Sequence, residues 1–262
     1  MVNLMASIDL SQKSIFITGA LGAIAEHIVR RLNEAGAFLV LSDAKPETEG
    51  LSIIESWGIP SPRYIYYQLD VTNSSAVEAV VSEALRRFAN LDTVLGHAGG
   101  CGLHPFVETS EGDFDRIFRF NYFSQTYLAR SVIKHWLHRK TAGHLIFTSS
   151  YVAEIPHARI PAYATAKAAL EHLTRCLALE HAPAGIRVNA IAPGNVAAGS
   201  SLKVFEEDKE YRDFVLRVAP MGMRNSPEAI ADAFAFLCSA MAMEITGQVL
   251  RVDYGVSIPK IG

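Results

Sequence analysis

Cysteine is scarce. The three present, Cys101, Cys176 and Cys238, are odd in number and far apart, which excludes a disulfide framework or thiolate metal site and fits a reducing, cytoplasmic setting. No apolar run reaches the length of a membrane span. Residues 1–10 contain an acid and lack the basic start and apolar block of a secretion signal. An excess of basic charge is missing as well. With 24 Lys and Arg against 27 Asp and Glu the net charge is −3, so neither nucleic acid nor an anionic membrane is the expected partner. Repeats, low-complexity tracts and linkers are absent, and residues 1–262 read as one domain with room for a large core.

What is present is alternation. Short apolar or β-branched runs recur at 15–18, 38–42, 64–69, 93–95, 144–148, 187–191 and 248–252. Helical periodicity fills the intervals at 23–35, 48–57, 74–89, 113–138, 161–181 and 227–240. Strands alternating with helices predict an α/β fold, a doubly wound, seven-stranded parallel sheet with helices on both faces. Such sheets bind ligands beyond the carboxyl ends of their strands, so residues just after each strand are the functional candidates.

Residues 18–25, TGALGAIA, follow the first strand run. A turn here would set a pyrophosphate on a helix N-terminus. The usual glycines are only partly retained: Gly19 is in place, Gly22 lies one residue early, and Ala23 and Ala25 stand where glycine is usual. A helix start with small packing residues is the plain alternative. Asp43 closes the second strand run, 24 residues after Gly19. That is near the spacing at which an acid accepts hydrogen bonds from the adenosine ribose and repels a 2′-phosphate. With Ala44 rather than an arginine beside it, Asp43 favours NAD over NADP; as an alternative it starts the turn before Lys45-Pro46. Asp70, after the third run, contacts the adenine or caps the next helix.

Tyr163 and Lys167 are four apart and share a helix face. A lysine ammonium there is expected to lower the phenol pKa toward a useful range for proton transfer. Ser150, 13 residues before Tyr163, sits at the same sheet edge. Around them stand, in order, the strand–TGxxx–helix start, Leu69-Asp70-Val71, Phe120-Asn121, IRVNAIAPG at 186–194 and ITGQVLRVD at 245–253. This ordered set spans nearly the whole chain and resembles the short-chain dehydrogenase/reductase family, the compact single-domain type of the Rossmann fold.

The resemblance implies an NAD-dependent oxidoreductase interconverting a secondary alcohol and a ketone, with no metal. It implies that Tyr163 exchanges a proton with the substrate oxygen and that Lys167 binds the nicotinamide ribose and lowers the phenol pKa. Ser150 would hydrogen-bond the substrate oxygen, and Asn121 would hold a relay water. Ser149 in place of Ser150, and Asn121 as only a helix-kink residue, stay open. The implied cofactor cradle is Gly19, Leu21, Gly22, Ala23 and Ile24 from the loop; Asp43, Asp70 and Val71 from the next strand ends; His97, Ala98 and Gly99; Tyr163 and Lys167; and Pro193, Gly194 and Val196. A homotetramer is implied, with helices 113–138 and 161–181 at one interface.

Two departures from the family pattern bear on cofactor binding. His97 replaces an asparagine that supports the central sheet, either as a structural swap or as a new catalytic histidine. Ala198 lacks the hydroxyl of the threonine often found there. Residues 195–219 read as a substrate lid hinged at 199–201, with the charge run 206–210 on a solvated helix face. Cys101, His104, Val152, Glu154, His157, Arg159 and Asn195 are pocket candidates. Their polarity favours a sugar, polyol or hydroxy acid, with Arg159 either clamping a carboxylate or lying on the surface. The rival reading is a non-catalytic dinucleotide sensor or scaffold on the same fold.

Overall fold

A computed structural model describes residues 8–88, 91–102 and 105–258. Seven strands form one parallel sheet: β1 Ser14–Thr18, β2 Phe38–Asp43, β3 Tyr64–Gln68, β4 Leu91–Gly96, β5 Gly143–Thr148, β6 Ile186–Pro193 and β7 Val249–Val252. Their order is β3-β2-β1-β4-β5-β6-β7. The chain works outward from β1 to β3 and then returns to β4 on the other side of β1, so the strand order reverses between β1 and β4. Thr18 pairs in register with Ser42 and Gly96, and Gly96 with Phe147, which aligns the carboxyl ends along one edge.

The central strands are apolar on both faces, as strands covered on both sides must be. Successive side chains point to opposite faces. Ile15 and Ile17 join Leu39, Leu41, Ile28, Leu32 and Phe234 in one core, whereas Phe16 joins Val40, Val94, Leu145, Leu128, Trp136 and Leu170 in the other. The first core lies beneath α1 Ala23–Glu34 and α9 Pro227–Cys238. The second lies beneath α3 Ser74–Arg87, α5 Ser124–Arg139 and α6 Pro161–His181. The short α2 Glu47–Ser56 links β2 to β3.

The expected single helix at 113–138 is broken. It is α4 Glu111–Phe118, a π-helical turn Arg119–Phe123, and then α5. Side chains compete for the backbone there: Asn121 Nδ2 donates to the Ile117 carbonyl at 3.0 Å and Ser124 Oγ to that of Phe120 at 2.7 Å. The 195–219 segment carries α7 Gly199–Glu207 and α8 Lys209–Val218, separated at Asp208, whose carboxylate caps α8 through the Tyr211 N–H at 3.0 Å. No helix among the described residues is long and apolar enough to cross a membrane.

Gly96 ends β4 at the reversal point. A Cβ there would lie 2.2 Å from Gln125 Oε1 and 2.9 Å from Phe147 Cδ1. The absent side chain admits Gln125, which reaches in from α5 and donates to the Ala98 carbonyl at 2.7 Å. Gly96→Ala is therefore expected to destabilise the protein by about 1–3 kcal/mol through overpacking. In the Gln125→Ala background the same change should cost less, because one of the two obstructing groups is gone. Thermal unfolding of the two single variants and the double variant measures this coupling.

Candidate active site

The carboxyl edge near the reversal gathers the candidate chemistry into a cavity of about 420 Å³. Lys167 comes from the first half of α6 and is only 2% exposed. Its Nζ donates to the Thr148 carbonyl at 2.7 Å and stands 5.7 Å from the centre of the Tyr163 ring. Burial draws its pKa down to about 8. The expectation that this ammonium lowers the phenol pKa is not met. Burial holds Tyr163 above the usual tyrosine range, with the Cys101 thiol adding to the rise, and Ser150 is the group that pulls it back. The two serines separate: Ser150 lies against the phenol, while Ser149 Oγ donates to the buried Glu171 carboxylate at 2.8 Å.

Asn121 is fully buried at the π-turn. Its Oδ1 accepts from the Gly100 N–H at 3.0 Å, and its Nδ2 donates to the carbonyls of Gly100 and Ile117. Both amide hydrogens are committed, which leaves one Oδ1 lone pair for a water.

A smaller cavity of about 260 Å³ adjoins, lined by Gly19, Asp43, Asp70, Val71, Ala98 and Gly99 among others. Gly19 has φ +66°, and a Cβ on it would come within 2.7 Å of Ala98 Cα, so only glycine lets β1 and β4 close this tightly. Gly22 caps α1 without a side-chain bond, leaving first-turn N–H groups open; Gly22, Ala23 and Ile24 line the larger cavity. The Ala23 methyl lies 3.3 Å from where a Cβ on Gly199, at the start of α7, would stand. Asp43 Oδ2 accepts from the Leu21 N–H at 3.2 Å, so the acid is held at the loop rather than starting the next turn. Asp70 Oδ1 accepts from Thr72 N–H and Oγ1 at 2.9 and 2.7 Å. It does not cap α3; Asn73 does, accepting from Ser75 and Ala76.

His97 lies between the two cavities and lines both. Its Nδ1 is 2.9 Å from Thr148 Oγ1, and its backbone N–H donates to Thr18 Oγ1 at 3.2 Å. Burial first, and Lys167 second, push its pKa down to about 4, which makes it a neutral ring near pH 7.

Pro193, Gly194, Val196 and Ala198 also line the larger cavity, and a Cβ on Gly194 would meet Asp253 Cα at 2.8 Å. Of the pocket candidates, Cys101, Val152, His157 and Asn195 line it. Glu154 and Arg159 do not: Glu154 is exposed and ion-pairs with Arg251, and Arg159 is exposed with φ 69°. His104 lies outside the described residues. The charge run 206–210 is exposed, as a solvated face should be. Arg224 ties the 195–219 segment down, donating to Val196 O at 2.7 Å and Ser201 Oγ at 3.0 Å, with its guanidinium 4.2 Å from the Phe205 ring centre.

Sequence reasoning missed Gln125, Thr148, Tyr151, Glu171 and Tyr211. One signal existed: Tyr163, Lys167 and Glu171 repeat every four residues along one face of α6. Tyr211 had none, because its place depends on how α8 folds over the cavity.

The family described as enoyl-(acyl carrier protein) reductase, of the short-chain dehydrogenase/reductase type, matches residues 19–257. Glucose 1-dehydrogenase 2 of Bacillus subtilis is 30% identical over 95% of this chain and 96% of its own. The 3β-hydroxysteroid dehydrogenase 1 of Eggerthella lenta is 33% identical over 95% of both. The crystal structure of a dehydrogenase from Agrobacterium tumefaciens with bound NADP superposes with a TM-score of 0.84 at 28% identity, covering 96% of this chain and 98% of the other.

The pKa of His97 sets an acid sensitivity. The unfolded ring takes up a proton near pH 6.5 and the folded one only near 4, so stability is present above pH 6.5 and falls as pH drops toward 4. His97→Asn removes this titration. Between pH 7 and 5 the variant should lose less stability than the parent, by on the order of 1–2 kcal/mol. Urea unfolding at the two pH values reads the difference, and the buried His144 contributes equally to both proteins.

Proposed function

The chain belongs to the short-chain dehydrogenase/reductase family of oxidoreductases, and on that premise we propose that it interconverts a secondary alcohol and a ketone with NAD(H). The observation that carries this reading is one cavity holding Ser150, Tyr163 and Lys167 beside the open N-terminus of α1. The residues fit a nicotinamide dinucleotide. The Gly19–Ala98 approach leaves a cradle that a side chain would fill, and the unpartnered first-turn N–H groups suit a pyrophosphate. Leu21, Gly22, Ala23 and Ile24 form that turn, with Val71, Ala98 and Gly99 on the adenosine side and Pro193, Gly194 and Val196 on the nicotinamide side.

When bound, the dinucleotide supplies or accepts the hydride. The chain supplies the proton and the positioning. Tyr163, kept neutral by burial, gives its proton to the carbonyl oxygen in reduction and takes it back in oxidation. Ser150 donates a hydrogen bond to that oxygen as charge develops on it. Lys167, its pKa drawn down to about 8 by burial, would hold the nicotinamide ribose and exchange a proton with the phenol region. Asn121 keeps a lone pair for a water on the relay toward Lys167.

The Agrobacterium neighbour holds NADP, so the fold accommodates a 2′-phosphate and the choice falls to local residues. Here Asp43 is fixed at the loop and Ala44 offers no positive charge, which supports NAD. Two relatives are named as dehydrogenases of glucose and of a hydroxysteroid, and the polar lining supports a sugar, polyol or hydroxy acid. Residues 195–219 act as the lid, pinned by Arg224. The apolar groove between α5 and α6, with Leu137, Leu173 and Leu177 in its wall, is the subunit face of a homotetramer. The free cysteines support a reducing, cytoplasmic setting.

Titration with NADH and NADPH, followed by nicotinamide fluorescence, tests the cofactor. NADH should bind more tightly, and absence of binding by either would refute the reading. Asp43→Ala should shift the NADH/NADPH affinity ratio toward NADPH by roughly tenfold or more, since a charge-assisted bond is removed together with a repulsion. Tyr163→Phe should lower kcat by about 10²–10⁴-fold while the NADH Kd stays within about twofold. Parallel loss of both would contradict the proton role.

A further inference from the structure

Three consecutive residues at the end of β5 each meet α6. The Thr148 carbonyl accepts from the Lys167 ammonium at 2.7 Å, the Ser149 hydroxyl donates to Glu171 Oε1 at 2.8 Å, and the Ser150 hydroxyl lies against the Tyr163 phenol. The helix partners, 163, 167 and 171, follow one another at single turns. In the proposed reaction Lys167 also serves the ribose and Ser150 the substrate oxygen. The Ser149–Glu171 bond is the one of the three that no ligand is asked to share.

That bond sits where a charge is expensive. Ser149 is 2% exposed and Glu171 4%. A carboxylate so buried is kept only when its oxygens are met. Oε1 is met by Ser149. Oε2 faces the Arg251 guanidinium of β7 at 3.5 Å and that of Arg175, one turn farther along α6, at 3.8 Å. Arg251 also pairs with Glu154. Ser150 therefore stands in a segment fastened on both sides. Ser149, before it, is held directly by Glu171; Glu154, after it, is held through Arg251. Within the segment the Ser150 hydroxyl accepts from the Val152 N–H at 3.5 Å and its carbonyl from the Ala153 N–H at 3.0 Å, so side chain and backbone turn together. The Ser149 N–H donates to the Ile191 carbonyl at 2.7 Å, which fixes the strand end to the sheet but not to the helix.

Ser150 and Tyr163 come from different elements, so their spacing is only as firm as the join between the end of β5 and α6. We propose that Glu171 is a positioning residue: by holding Ser149 from the helix that carries Tyr163, it sets the Ser150 hydroxyl against the phenol. The proposal rests on the oxidoreductase reading above for its effect on turnover, though not for its geometry.

Ser149→Ala and Glu171→Ala remove the bond from either end. Glu171→Gln keeps an acceptor for the Ser149 hydroxyl and discards the charge. Cyclohexanone reduction by NADH, read by absorbance, is the turnover probe. Each alanine variant should lower kcat by about tenfold or more with the NADH Kd within about twofold, and the double variant should be no worse than the poorer single one. Glu171→Gln should stay within roughly threefold of the parent. In a Ser150→Ala background, adding Ser149→Ala should change kcat by less than about twofold, because the group being positioned is gone. A tenfold loss that persists in that background, or a Glu171→Gln variant as poor as Glu171→Ala, would overturn the proposal.

Crystal structures of the variants test the geometry without turnover. The Ser150 hydroxyl should move away from the phenol by about 0.5 Å or more in Ser149→Ala and stay in place in Glu171→Gln. An unmoved hydroxyl in Ser149→Ala overturns the proposal. Melting curves check folding, and should Glu171→Ala fail to fold, Ser149→Ala carries both measurements, since it leaves the carboxylate beside Arg251 and Arg175. A parent protein that binds neither NADH nor NADPH overturns the oxidoreductase reading instead. The crystallographic result then decides the proposal alone, as it does where cyclohexanone is not turned over.

Discussion

The contact on which the site depends is the close approach of two backbones at the reversal of strand order. Gly19, at the end of β1, sits so near Ala98, just past β4, that a methyl on it would overlap Ala98 Cα. From that contact a series of hydrogen bonds runs across the carboxyl edge. Thr18 Oγ1 accepts from the N–H groups of His97 and Ala98. Gln125 holds the Ala98 carbonyl from behind. His97 meets the Thr148 hydroxyl, and the Thr148 carbonyl holds Lys167. The glycine loop and the lysine are far apart in sequence, yet each step between them is one bond or one van der Waals contact.

Burial then sets the protonation states, and it does so against the simplest expectation. Proximity of an ammonium to a phenol argues for a lowered phenol pKa, but that holds only where the charges interact more strongly than burial penalises them. Here Lys167 turns toward the Thr148 carbonyl, and its nitrogen is nearly 6 Å from the ring centre. Desolvation dominates at each group: the lysine and His97 move down and the phenol moves up. The chain alone thus presents a neutral phenol in the cavity, with a lysine whose pKa is drawn down to about 8 one helical turn away. This arrangement suits proton donation to a carbonyl.

The sheet was legible because its information is local. Ile15, Phe16 and Ile17 are apolar on both faces, so period and length both mark a buried parallel strand, and the same holds at 144–148. Tyr163 and Lys167 were legible because helix geometry ties spacing to a shared face. What was not legible depended on side chains competing with the backbone or on contacts distant in sequence. The π-turn at 119–123 arises because Asn121 and Ser124 take carbonyls that a regular helix would use, and apolar periodicity carries no trace of that. Glu154 and Arg159 sit close in sequence to Ser150, yet one is drawn out by Arg251 and the other projects from a residue with left-handed backbone. Neither outcome follows from position after a strand. The role of Gln125 rests on a side chain that Gly96 lacks, visible only once α5 is placed over β4.

The two alanines of the glycine loop show how such a substitution is absorbed. Ala25 points into the core beneath α1 and is wholly buried, so its methyl adds packing where a glycine would leave a void. Ala23 faces the other way, toward the start of α7. There the chain has Gly199, with φ +56°, and a side chain at that position would be crowded by the Ala23 methyl. The glycine needed for close approach has in effect moved from the loop to its neighbour. Gly19, where a backbone stands on the far side of the gap, could not be exchanged in this way. The loop keeps glycine where it meets main chain and dispenses with it where a partner side chain can shrink instead. Its departure from the usual pattern is therefore compatible with an intact cradle.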